Sequence, residues 1–268
     1  MATLRALEQR AEVRFSDEEK ARWVLEVEQQ VVGDFGNVSE SLAGIYGASG
    51  SLLPILCRPD QVLEALPLPE NTIIVGCPID APKGEGSRQG AIVRTAALMG
   101  RVLVQEKLKA RDYASEYAPS QLGEELPLTV LGSEFQERFG MVKAVSQIDA
   151  RRHYPVRAAT RFGIEENFRA CLAQSLLQGQ KTSEILPLIG ELLYQSHTAT
   201  GAMGLATPSS NALVEALREH GARKGIYGAR VTGEGAARTV VVLLKNSARE
   251  ELERIRAPFS PAGAVIES

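Results

Sequence analysis

The run TVVVLLK, residues 239–245, is the most constraining stretch in the chain. Seven residues of β-branched and aliphatic type, bounded by turn-formers, form a buried strand. Immediately before it lies Thr232-Gly233-Glu234-Gly235, a glycine-rich turn after a first strand-like segment, GIYGARV. Glycines beside a strand either cradle a phosphate or simply turn the chain, and the residues around them have to decide which.

Elsewhere helical and extended patterns alternate irregularly. Residues 2–12 read as a helix without an N-cap. Ser16 and Glu19 have capping-box spacing, and Trp23, Val24, Val27 and Val31 then repeat on one helical face. SLLPILC and NTIIVGC read as strands separated by the loop RPDQVLEALPLPE, and APKGEGSRQG as a turn-rich loop leading into the helix GAIVRTAALMGRVLVQEKLKA. Further helices are expected near 133–147, 163–178, 183–196 and 208–220, the last capped by Thr207 with Pro208 at its first position, and SAREELERIRA closes the chain as a helix. The poorly periodic stretch 111–132 is the best place for a change of domain, giving 1–130 and 131–268. Strands and helices without a regular βαβ cadence predict an α+β architecture.

The 30 basic and 33 acidic residues leave a net charge of −3, which gives no reason to expect a nucleic-acid or membrane partner. Cys57, Cys77 and Cys171 are odd in number and far apart, and Cys57 and Cys77 read as small core residues. With no apolar leader and no run of membrane-spanning length, a reducing, cytoplasmic setting is expected.

Several segments, in order, resemble the GHMP family of small-molecule kinases, in its arabinokinase and galactokinase branch. They are VEQQVVGDFGNVSESLAGIYGASGSLLPILCRP, ENTIIVGCPID with GAIVRTAALMGR, YPVRAATRFGIEENFRA, GELLYQSHTATGAMGLATPSSNALVEAL, and the opening GIYGARVTGEGAARTVVVLL. The resemblance implies a two-lobed GHMP-kinase fold, with an incomplete ribosomal-protein-like N-terminal lobe and a ferredoxin-like C-terminal lobe. It implies transfer of the ATP γ-phosphate to a hydroxyl of a monosaccharide, arabinose- or galactose-like, at the anomeric position, with Mg²⁺. The family pattern G-x-M-D-Q falls on Asn37-Val38-Ser39-Glu40-Ser41, so Glu40 takes the place of the catalytic aspartate with Ser39 and Ser41 as neighbours. By the same resemblance Thr232, Gly233 and Gly235 lie near the phosphates, while Asp80, with Lys83 and Arg88, belongs to the substrate loop.

The sequence also departs from that pattern. The family's Gly-Leu-Ser-Ser-Ser-Ala phosphate loop has no counterpart, and MATLRAL corresponds to the helix that follows it. The expectation is therefore a chain that starts past this loop, with an open N-terminal sheet edge where a protein partner can pair. Glu234, Ala237 and Arg238 carry side chains where the family turn keeps glycines. An acid there repels phosphate, so the turn is expected to be a remnant. The alternative reading is a catalytically inactive pseudokinase serving as a ligand-binding or protein-interaction module. Ser196-His197 looks like a nucleophile–base pair, but neighbours on a helix point about 100° apart; a packed or capping histidine is the expectation. His153 and His220 are expected to be exposed.

Overall fold

The computed structural model describes residues 2–27, 30–31, 38–57, 60–79, 85–108, 111, 116–122, 126–140, 148–179, 183–232, 239–259 and 266–267. Helices α1 (Ala2–Ala11), α2 (Asp17–Val27) and α3 (Val38–Tyr46) precede strands β1 (Ser51–Leu52), β2 (Ile55–Cys57), β3 (Asp60–Val62), β4 (Leu66–Pro67) and β5 (Thr72–Pro78). Then come α4 (Glu85–Lys107), β6 (Val130–Leu131), α5 (Gly132–Phe139), β7 (His153–Tyr154), α6 (Val156–Gly179), α7 (Leu186–Ala202) and α8 (Pro208–His220). β8 (Ile226–Thr232), β9 (Thr239–Lys245), α9 (Arg249–Arg256) and β10 (Ile266–Glu267) complete the chain. The architecture is α+β, as the irregular cadence predicts.

The core is organised around β9. It lies inside an antiparallel sheet of order β10-β5-β9-β8. Successive strand side chains point to opposite faces. Val240, Val242 and Leu244 therefore meet Leu213, Val214 and Leu217 of α8 and Leu252 of α9, while Leu243 meets Leu186 and Ile189 of α7 and Leu177 of α6. Both faces of β9 are covered, which is why its sequence is a continuous apolar run. β5 pairs with β9 along its whole length, so the sheet crosses the boundary expected at residue 130.

α7 lies so close to β8 that neither contact position admits a side chain. A Cβ on Gly190 would sit 1.9 Å from the Tyr227 carbonyl oxygen, and one on Gly228 would sit 2.3 Å from the Gly190 Cα. A second core, between α4, α5 and α6, buries Met99, Phe135, Tyr154 and Ile164. α2 and α3 share a smaller cluster of Ala21 and Leu42 with Leu25, Ile45, Ile55 and Val62.

Both expected caps form. Ser16 and Glu19 exchange side-chain-to-backbone hydrogen bonds at 2.8 and 3.2 Å, and Thr207 accepts from the Ser210 amide at 3.1 Å. Four expectations need correction. SLLPILC is not one strand: Pro54 lies between β1 and β2, which pair with β4 and β3 inside the supposed loop. The substrate loop shortens, because α4 begins at Glu85 and takes Arg88 into the helix. Cys57 is exposed rather than core, because β2 turns it outward. His220 is half-buried, with its ring 3.7 Å from the Glu251 carboxylate.

The expected apolar stripe is also largely outside. α2 packs on α3 through Ala21 and Leu25, with Val24 half-buried and Trp23 and Val27 exposed at 37% and 53%; Val31, beyond the helix end, is exposed at 78%. Phe15 gives Trp23 an edge-on contact at 4.4 Å.

Candidate functional site

Residues 38–41 of the expected carboxylate segment form the first turn of α3, while Asn37 lies outside the described residues. Three consecutive helical residues fan out at about 100° steps, and burial follows: Ser41 is buried, Ser39 half-buried and Glu40 exposed. At a helix start the backbone N–H groups and the helix dipole favour a negative charge, so Glu40 suits its position. A hollow of about 340 Å³ lies under the same helix, lined by Glu18, Arg22, Leu42, Tyr46 and Gln61. Leu42 is two residues from Glu40 and faces the opposite way, so this hollow is not the acid's own pocket.

Thr232 is the last residue of β8, half-buried and paired with Thr239 of β9. Gly233, Gly235 and Asp80 lie outside the described residues, as does Lys83. α3 packs on α2, β2 and β3, and β8 on α7, α8 and β9. The described packing therefore brings Ser39, Glu40 and Ser41 together on one turn, and does not join them to Thr232.

Just before Thr232 lies a polar knot to which the sequence reading gave no role. Arg230 of β8 forms an ion pair with Glu166 of α6. Ser196 of α7 donates to the same carboxylate at 2.8 Å, and Arg169 donates to its second oxygen at 2.9 Å. Glu166 thus binds three elements through one carboxylate, with charge-assisted bonds that are stronger than neutral ones. One Arg169 guanidinium nitrogen, Nη2, is buried and has no hydrogen-bond partner among the described residues. The sequence signals were present: Glu166, Asn167 and Arg169 belong to the quoted stretch YPVRAATRFGIEENFRA, and Arg230 is a charge inside an otherwise apolar strand.

His197, next to Ser196, points the other way. Its Nδ1 accepts the Val231 backbone N–H at 3.3 Å. Burial holds its imidazole below the ordinary range; a hydrogen bond with Asn211 and the Glu215 charge act against that, while the Arg218 and Arg230 charges add to it. The pair is not a nucleophile and its base, but two anchors aimed at different elements.

Among the described residues, no group of three or more His, Cys, Asp or Glu side chains is arranged to hold a metal, and no helix is long and apolar enough to cross a membrane.

No protein-family model matches the sequence. The chain is 28% identical to L-arabinokinase of Arabidopsis thaliana over 264 residues, which takes in 83% of this chain and 25% of that one. Its fold matches that of Lactococcus lactis galactokinase, solved in complex with galactose, at a TM-score of 0.69 and 15% identity, covering 98% of this chain and 61% of the other. A mevalonate kinase structure superposes at a TM-score of 0.47 and 13% identity, over 98% of this chain and 59% of that one. The chain thus spans a quarter of the arabinokinase and about three fifths of the galactokinase.

Proposed function

We propose, from a chain related to the GHMP sugar kinases, that its reaction is ATP-dependent phosphorylation of a monosaccharide, arabinose- or galactose-like, at the anomeric hydroxyl. One observation carries this reading: the similarity to L-arabinokinase runs through 83% of the chain. The galactokinase fold over 98% of the chain supports it.

Phosphoryl transfer asks little covalent chemistry of a protein and depends mostly on positioning. Glu40 accepts the proton of the attacking hydroxyl as its oxygen bonds to the γ-phosphorus and the bridging oxygen departs with ADP. Ser39 and Ser41 flank the acid, Asp80 contacts the sugar, and Thr232, Gly233 and Gly235 line the phosphates. Mg²⁺ bound with a nucleotide takes most of its ligands from phosphates and water, with one or two protein carboxylates. Bound in that way it would screen the charge of the phosphates, leaving the proton to Glu40. ATP binding, a place in carbohydrate metabolism and a cytoplasmic location follow from the reading. A protein partner pairing at the open edges of the short N-terminal strands accompanies it.

The test is phosphorus NMR of the purified protein with MgATP and, separately, L-arabinose and D-galactose. A sugar-phosphate resonance is expected with one of them, reduced roughly 10²-fold or more in Glu40→Gln. No sugar phosphate at high enzyme concentration overturns the reading.

A further inference from the structure

β8 is the outer strand of its sheet, yet its edge is not open at Val231. In an antiparallel edge strand, the N–H and C=O of one residue point the same way, away from or toward the partner strand. At Val231 both outward groups end on side chains. His197 Nδ1 takes the N–H at 3.3 Å, and Arg230 Nε donates to the C=O at 3.2 Å. Arg230 is held by Glu166, and Glu166 by Ser196. Two adjacent residues of α7 therefore hold the same strand end by two routes, one direct and one through α6.

We infer that Ser196 and His197 are positioning residues for the end of β8, fixing its last residue, Thr232. The inference rests on the reading above only in linking that strand end to the phosphates. The contact itself needs an unprotonated Nδ1, so the imidazole is the neutral form with its proton on Nε2, and Asn211 is a further hydrogen-bond partner of the ring. Protonation would turn an acceptor into a donor aimed at another N–H. The charged groups facing the ring are Arg218 and Glu215 of α8 and Arg230 of β8.

The experiment has two readouts. The first needs no ligand: amide hydrogen exchange at Val231, with nitrogen-15 shifts of the His197 ring. His197→Ala is expected to speed exchange roughly five- to tenfold, the factor of one lost hydrogen bond. His197→Asn, whose Oδ1 takes the place of Nδ1, is expected to restore it. Unchanged exchange in His197→Ala, or a ring proton on Nδ1 in the wild type, overturns the positioning role. The second readout is the Michaelis constant for ATP in a preparation that makes sugar phosphate. A rise with His197→Ala, rescued by His197→Asn, supports the link to the phosphates. A constant that stays put while Val231 exchange accelerates overturns the link and leaves the anchor. A wild type without turnover overturns the kinase reading, with the exchange result still deciding the anchor.

Discussion

A methyl group is the smallest probe of the α7–β8 contact. Gly190→Ala would place a Cβ against the Tyr227 carbonyl, which is backbone and cannot swing aside. The expected loss is about 3 kcal/mol or more in urea unfolding, at the upper end for overpacking. Gly163→Ala is the opposite case: its Cβ would meet nothing within 4 Å in the middle of α6. It should stabilise by roughly 0.5–1 kcal/mol, the helical cost of glycine. His197 gives a pH dependence whose sign is fixed by its burial. Its folded-state affinity for a proton is depressed, whereas the unfolded chain binds one below about pH 6.5. Stability from this group is thus complete above that pH and lost as pH falls through the folded-state value, with a slope of at most about 1.4 kcal/mol per unit. Urea midpoints between pH 7.5 and 5.5 should fall in the wild type more steeply than in His197→Asn. Of the candidate residues, Glu40 could be singled out because its pattern is contiguous in the sequence, and the structure has it as an exposed acid in the first turn of α3. Arg230 and Glu166 could not be, since 64 residues separate a pair whose meeting depends on α6 and β8 being packed side by side.

Among elements, those with local stop and start chemistry were legible. Thr207 and Ser210 form the reciprocal cap of α8, and Thr207→Ala should cost about 1 kcal/mol of stability by thermal or urea unfolding. β3 and β4 were not legible, because strands of two or three residues carry too little periodicity and exist through their partners. α2 failed in another way. Of the expected stripe Trp23, Val24, Val27 and Val31, Val24 is half-buried, Trp23 and Val27 face solvent, and Val31, exposed, lies beyond the helix, which uses Ala21 and Leu25 against α3. Trp23 is the one tryptophan in the sequence, so its fluorescence reports this face directly. Iodide should quench it readily in the isolated chain, and protection would mean that something covers the stripe.

At the scale of the whole molecule, the sheet sets the terms of folding. Val75 pairs with Val242, and Gly76 with both Val241 and Ile266. β5 is therefore an interior strand whose two neighbours both come from the far end of the chain. During synthesis at 5–20 residues per second, β5 emerges roughly 10–30 s before β9 exists to receive it. Through that interval an apolar strand with two bare edges hangs from the ribosome, the condition that invites wrong pairing. A cell making this protein has to keep TIIVGCP occupied or diluted until translation is nearly over, so its yield should depend on chaperone supply and elongation rate more than its final stability does.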